Sequence, residues 1–305
     1  MRRKRSIAVL LSVLTATNLV VFIFRDHFQY QPYASEASLY APCATGCMKT
    51  WRQFADDYPP ADLQAAKKIA DPVIGSLRLT PARVLALGRF LYQQFYRQLG
   101  TPSAELLAAS PMDQYRSLKA SDTVQLWCGN FAQIFAFFCW SEGIACRNLE
   151  IMNPGDNHVL NECYLPETNE WVMVDLTHNL LLVAGAGGIF LQEAGFTKAL
   201  ASGEKMKVWR AAPDSVNIGP LDTGKAALVR YYDKKNPVYY YHRTDNAKAY
   251  STINKIRQYF LPFSWYDILT DGERNNTLFY IREILALLWL LALFAFLASR
   301  TKLGL

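Results

Sequence analysis

Two long apolar runs frame the chain, and a mixed segment lies between them. Residues 6–24 read SIAVLLSVLTATNLVVFIF, nineteen positions without a charge. At about 1.5 Å per residue this run comes close to spanning a hydrocarbon core of about 30 Å. The second run, residues 284–298 (ILALLWLLALFAFLA), reaches bilayer length once residues 279–281 are included. Arg282 and Glu283 then fall near one interface, where an arginine stem can snorkel. No small-residue cleavage site precedes Arg25 and Asp26, so the first run reads as an anchor rather than a removed leader.

Between the anchors the period changes several times. Residues 25–60 carry Pro32, Pro42, Pro59 and Pro60 and read as a loop-rich stem, which passes into a helical lead-in up to residue 79. Thr80-Pro81 offers a helix start, and apolar positions recur at Val84, Leu87, Leu91 and Phe95, predicting a helix over 81–99 that stops at Gly100. Thr101-Pro102 and Ser110-Pro111 repeat that start signal for shorter helices. Cys128, Ala132, Phe135 and Cys139 share one face of a further predicted helix, over 128–141, which Gly143 ends. Residues 146–152 and 158–165 have strand length, joined by the turn sequence Asn153-Pro154-Gly155-Asp156, and 171–176 (WVMVDL) gives a third strand. A helix followed by an antiparallel meander, without βαβ alternation, is an α+β pattern. Further on, 185–188 (GAGG) lacks the Lys-Ser/Thr of a phosphate loop and reads as a plain loop. The tyrosine-rich stretch 231–241 reads as strands around a turn at 233–237.

Charge assigns the sides of the membrane. Arg2, Arg3, Lys4, Arg5, Arg300 and Lys302 account for the whole formal excess of +6. Basic residues stay in the cytoplasm, so both tips (1–5 and 299–305) are expected inside the cytoplasmic membrane and the middle segment outside, in the periplasm or beyond. The exported part is then neutral, and the basic pI gives no argument for a nucleic-acid partner. The six cysteines would face an oxidising compartment, where Cys43 and Cys47 (PCATGC) can form a local disulfide. No His or acidic cluster accompanies that pair, and no metal or organic cofactor is expected.

Three residues carry candidate chemistry. Cys128 opens its helix, where unpaired N–H groups and the dipole favour a thiolate and can hold an oxyanion. His158 opens a strand directly after a polar turn, so its ring is expected at a sheet edge, where its imidazole can take the thiol proton and return it to a leaving group. Asp175 shares a strand face with Trp171 and Met173, and a carboxylate among such neighbours needs a partner, for which the N–H of His158 is suited. Gln125 and Trp127 precede the nucleophile and are candidate oxyanion donors through an amide or an indole N–H. His27, His178 and His242 lie away from this set.

The run WCGNFAQIFAFFCWSEGIACR, then His158, then WVMVDLT resembles the core of transglutaminase-like proteins. In that family a Cys opens a helix leading to a G-I-x-x-R segment, here residues 143–147. A His begins one strand, and an Asp ends a W-x-x-V-D motif, here 171–175. The resemblance covers about a quarter of the chain. It implies a papain-like α+β core over 80–196, with the Cys helix packed on an antiparallel sheet, followed by a C-terminal part of the ectodomain over 197–278. It also implies acyl transfer or hydrolysis on a protein or peptide, by a cysteine peptidase, amidase or crosslinking enzyme using Cys128, His158 and Asp175. Leu160 stands where the family has an aromatic residue, and Leu176 where it has proline. The alternative class is a tethered binding or assembly domain that keeps the fold without the chemistry. Oligomeric state is not addressed by the sequence.

Overall fold

The computed structural model describes residues 2–28, 40–43, 58–153, 156–221, 231–232, 238–242, 266–269 and 276–301. The chain divides into two units.

The first unit takes residues 1–32, 252–264 and 271–305. Its described part is helix α1 (Arg2–Ile23), a short 3-10 turn (Arg25–Phe28) and the 25-residue C-terminal helix, here α8 (Thr277–Thr301). The two long helices pack on each other. Trp289 Nε1 donates to Thr15 Oγ1 at 2.8 Å, and Asn18 Nδ2 donates to its own-helix carbonyl of Leu14 at 2.8 Å. Polar side chains on apolar helices find partners within the pair in this way. Leu10, Val13, Leu19, Leu287, Leu291 and Phe294 point outward and are exposed. Such faces are stable in an apolar solvent, and both helices are long and apolar enough to cross a membrane. Arg282 is buried with its guanidinium 2.6 Å from the Glu283 carboxylate.

The second unit, residues 33–251 and 265–270, is a mixed α+β domain. Helix α2 (Pro60–Ile74) starts at the Pro59-Pro60 step and buries Ala66, Ala70 and Ile74 along one stripe. Helix α3 (Thr80–Phe95) buries the predicted Val84, Leu87, Leu91 and Phe95, then tightens into a 3-10 turn before Gly100. Two short helices, α4 (Ala104–Ala108) and α5 (Pro111–Ala120), begin at Ser103 and Ser110, whose hydroxyls accept backbone N–H groups. Helix α6 (Cys128–Ser141) departs from the one-faced stripe the periodicity suggests: every residue from 130 to 140 is buried. Helices α2, α3 and α5 and strands β1 and β2 enclose it, and an all-round apolar helix belongs in such a place. Gly143, at φ 72, ends it.

One sheet runs in the order β3-β2-β1-β7-β8, built from β1 (Cys146–Asn153), β2 (Asp156–Leu165), β3 (Glu170–Val174), β7 (Val238–His242) and β8 (Tyr266–Leu269). All its pairs are antiparallel. A second sheet, β4-β5-β6, joins β4 (Leu182–Ala184), β5 (Lys207–Ala211) and β6 (Val216–Pro220). Helix α7 (Glu193–Ala201) lies between β4 and β5 in the chain. The 185–188 segment is a turn, as expected, whereas Tyr231 and Tyr232 are helical rather than strand-forming. Among the described residues of that stretch, strand is formed from Val238. The turn at 233–237 and residues 154–155 lie outside the described residues.

Alternation along β1 and β2 gives the sheet two different faces. On one, Asn161 Nδ2 donates to the Ala132 carbonyl of α6 at 2.9 Å and to Asn148 Oδ1 at 2.7 Å, tying helix to sheet. On the other, the fully buried Arg147 holds Glu162 Oε2 through Nε at 2.9 Å and Nη2 at 2.6 Å, and lies 4.0 Å over the Trp171 ring. Glu162 Oε1 accepts the N–H of Glu193 at the start of α7. A buried ion pair is tolerated when its remaining valences are filled, and here they fasten α7 to the sheet.

Candidate active site

The start of α6 is held by backbone and amide contacts. The Leu126 N–H bonds the Gln98 carbonyl at 2.9 Å, and the Gly100 N–H bonds that of Leu126 at 3.0 Å. Trp127 is extended, at ψ 171, and its N–H is accepted by Asn130 Oδ1 at 3.1 Å. Asn130 Nδ2 donates to Gln114 Oε1, and Gln114 Nε2 to Gln133 Oε1 and the Ala109 carbonyl. All three amides are buried, so the first turn of α6 has little freedom. Cys128 therefore stands at a fixed helix N-terminus, where the leading N–H groups have no carbonyl of their own helix to bond. It is partly exposed, unlike the buried thiols of Cys139, Cys146 and Cys163.

His158 is the third residue of β2, on the stretch that runs beyond the end of β3, whose pairing begins at Asn161. It is almost completely buried. Its Nε2 lies 2.8 Å from Asp175 Oδ2, and Cys128 is near enough to contribute to raising its pKa. With Nε2 turned to the carboxylate, Nδ1 is the nitrogen left for the sulfur. Burial pulls the imidazole pKa down, but Asp175 and then Cys128 outweigh it, and the value rises to about 10.

Asp175 falls just past β3, where expectation had it within the strand. Its backbone makes a two-way bridge to Leu180, at 2.7 and 2.8 Å, closing a turn over 176–179 with Asn179 at φ 57. The turn brings His178 back onto the carboxylate. His178 Nδ1 lies 2.6 Å from Asp175 Oδ2, and its backbone N–H reaches Oδ1 at 3.3 Å. The Tyr232 hydroxyl donates to the same Oδ2 at 2.7 Å. Burial would raise the Asp175 carboxyl, yet the charges of His158 and His178 hold it well below the usual range. The Tyr232 phenol is pushed up by burial and by Asp175, so it stays a neutral donor. Tyr231 covers the His158 ring at 4.7 Å between centroids.

These groups open on a cavity of about 690 Å³ lined by Trp127, Cys128, Asn148, Glu150, His158 and Tyr231, among others. Cys128, His158 and Asp175 are thus brought together. Trp127, about half exposed, stands on the cavity wall. Gln125 is exposed, does not line the cavity, and packs its amide over Gly100, where a Cβ would sit 2.6 Å from Gln125 Cδ. Cys43 is disulfide-bonded, while Cys47 lies outside the described residues.

No protein-family profile matches the chain, and no curated protein matches it. A solved structure of a candidate cysteine protease from Cytophaga hutchinsonii is similar at 18% identity, with a TM-score of 0.31. The match covers 57% of this chain and 62% of that one, less than two thirds of its length. So slight a likeness carries no argument here.

His178, Tyr231 and Tyr232, which the sequence does not point to as site residues, pack on Asp175 and His158. The D-x-x-H spacing of Asp175 and His178 was the available signal for the first. Nothing in the sequence pointed the tyrosines at a carboxylate more than fifty positions away. Among the described residues, two sets of side chains have ligand atoms within 4.8 Å of one another: Cys139, Cys146 and Cys163, and His158, Asp175 and His178. In the second set the ring nitrogens that face Asp175 are already engaged with its carboxylate.

Proposed function

We propose that this chain is a membrane-anchored cysteine enzyme of the transglutaminase-like kind, with a papain-like core, acting on protein or peptide amides outside the cytoplasmic membrane. The observation that carries the reading is the buried His158 ring, 2.8 Å from Asp175 and lining one cavity with the partly exposed Cys128.

In this mechanism Cys128 Sγ attacks the carbonyl carbon, with the sulfur proton held on His158. A protonated imidazole beside a thiol favours the thiolate, the nucleophilic form. The oxyanion forms against the leading N–H groups of α6, with the Trp127 indole on the rim as a further donor. The tetrahedral species collapses as His158 gives its proton to the leaving amine, which departs. A thioester on Cys128 remains. His158 then takes a proton from water, whose oxygen attacks the thioester and releases the acid and the free thiol. An amine in place of water gives a crosslink; hydrolysis is favoured because it needs no second-substrate site. Asp175 orients the imidazole and balances its charge throughout.

Anchoring by α1 and α8, with both termini in the cytoplasm, sets this domain against substrates of the cell envelope. The test is mass spectrometry of envelope proteins from cells carrying the wild type or Cys128→Ala. Cleaved or crosslinked species present with the wild type and missing with the variant are expected. Identical profiles, with both proteins folded and present in the membrane, would reduce the chain to a tethered binding domain.

A further inference from the structure

Three thiols that this reaction does not use lie together in the core of the second unit. Cys139 comes from the last turns of α6, Cys146 opens β1 and Cys163 lies near the end of β2. All three are fully buried, with their sulfurs within 4.8 Å of one another.

Two of them stand in a special relation. Cys146 and Cys163 are direct partners across the β1–β2 ladder. The adjacent pair, Ala145 and Tyr164, is joined by a bond from the Tyr164 N–H to the Ala145 carbonyl at 2.9 Å. Hydrogen-bonded and non-hydrogen-bonded pairs alternate along an antiparallel ladder, so Cys146 and Cys163 occupy a non-hydrogen-bonded position. There the Cα atoms are about 4.5 Å apart and side chains approach most closely. That spacing lies within the window of about 4.4–6.8 Å that a disulfide spans. The outward-facing Cys146 carbonyl is taken by Trp140 Nε1 at 2.7 Å, so the strand is held from the other side as well.

We infer that the mature protein carries a disulfide between Cys146 and Cys163, stapling the two central strands, with Cys139 left as a thiol beside it. The structure holds the reduced form. The staple closes the loop that contains His158, and it locks the register by which β2 delivers that ring to Asp175.

Oxidation breaks two S–H bonds and forms one S–S bond. The two electrons and two protons pass to a partner protein's disulfide, which leaves as a dithiol. Because all three are sealed in the folded domain, exchange takes place while the domain is folding, before α6 closes over the sheet. Cys43 of the same unit is itself disulfide-bonded. A thiolate-bound cation fits less well. The set has three sulfurs and no fourth ligand among the described residues, and burial raises the Cys139 and Cys146 thiols.

The inference rests on the extracytoplasmic placement proposed above and is independent of the chemistry of Cys128. The experiment uses full-length protein from membranes, denatured in N-ethylmaleimide without reductant and mapped by mass spectrometry. The expected map shows one Cys146–Cys163 cross-linked peptide pair and N-ethylmaleimide on Cys128 and Cys139. Cys139→Ala and Cys128→Ala should both keep the link, and a phosphine reductant should lower the wild-type Tm by roughly 5–10 °C. N-ethylmaleimide on all three core cysteines would overturn the proposal. So would a link that includes Cys139, or a stoichiometric metal whose removal is needed for labelling. Loss of envelope processing in Cys128→Ala with the link intact separates this question from the catalytic one.

Discussion

The rings of His158 and His178 meet edge to face, 4.8 Å apart between centroids, over a single carboxylate oxygen of Asp175. One buried anion thus balances two imidazoles and a phenol. The arrangement has consequences for pH, for the two supporting donors and for the helix that bears Cys128.

The first concerns alkaline pH. The His158 pKa is raised from 6.5 to about 10, so its stabilising contribution is complete below about pH 6.5 and is lost as pH rises through about 10. Asp175 is depressed; its contribution is present above the ordinary 3.8 and lost as pH falls through its lower folded value. The thermal midpoint of the full-length protein in detergent should therefore be highest between about pH 4 and 6.5 and decline toward pH 10. The loss attached to His158 is on the order of a few kcal/mol. His158→Gln should flatten the alkaline decline, and an unchanged slope would contradict the assignment.

Asp175 and Tyr232 should separate cleanly by substitution. Asp175→Asn keeps the shape but removes the charge that raises His158, so the alkaline decline should move to lower pH. Alkylation of Cys128 by iodoacetamide at pH 7 should slow by about 10²-fold or more. Tyr232→Phe removes one of three donors, costs about 1–2 kcal/mol of stability, and should slow alkylation by less than about tenfold. Equal effects of the two substitutions would mean that the carboxylate acts only as a structural acceptor.

How much of this was legible beforehand follows from the range of each interaction. The strands around Cys146 and Leu165 and the helix with Val84, Leu87 and Leu91 carry their periods locally; the strands emerged within two residues, and the helix starts where expected but turns 3-10 after Phe95. The α6 environment was less visible, because enclosure by α2, α3 and α5 depends on how distant helices pack. His178 reaches Asp175 through a turn that needs Asn179 in the left-handed region, which composition alone does not announce. Tyr232 arrives from a remote segment, and no local pattern encodes that meeting. The convergence of Cys128, His158 and Asp175 could be anticipated only because the residues resembled a known arrangement.

The amide chain beneath the nucleophile gives a further test. Asn130→Ala removes the acceptor of the Trp127 N–H and the donor to Gln114, all in buried surroundings. A loss of about 1–3 kcal/mol in chemical denaturation is expected, together with a slower reaction of Cys128 under native conditions. If stability falls while Cys128 reacts as before, the network supports the fold without positioning the thiol.

Arg147 and Glu162, which do not line the cavity, supply a control. Glu162→Gln removes the carboxylate charge that the buried Arg147 guanidinium holds and should cost about 3–5 kcal/mol, read as a lower denaturation midpoint. Below the transition, Cys128 alkylation should match the wild type. A parallel fall in both would tie the ion pair to the site through α7 and the sheet.

The central claim is that His158 activates Cys128, and the most direct measurement is the second-order rate of Cys128 alkylation at pH 7. It is followed by peptide mass spectrometry in full-length wild type and His158→Ala. The wild type is expected to react at least about 10²-fold faster, with Cys139 remaining unlabelled in the folded protein. Equal rates in the two proteins would contradict the account.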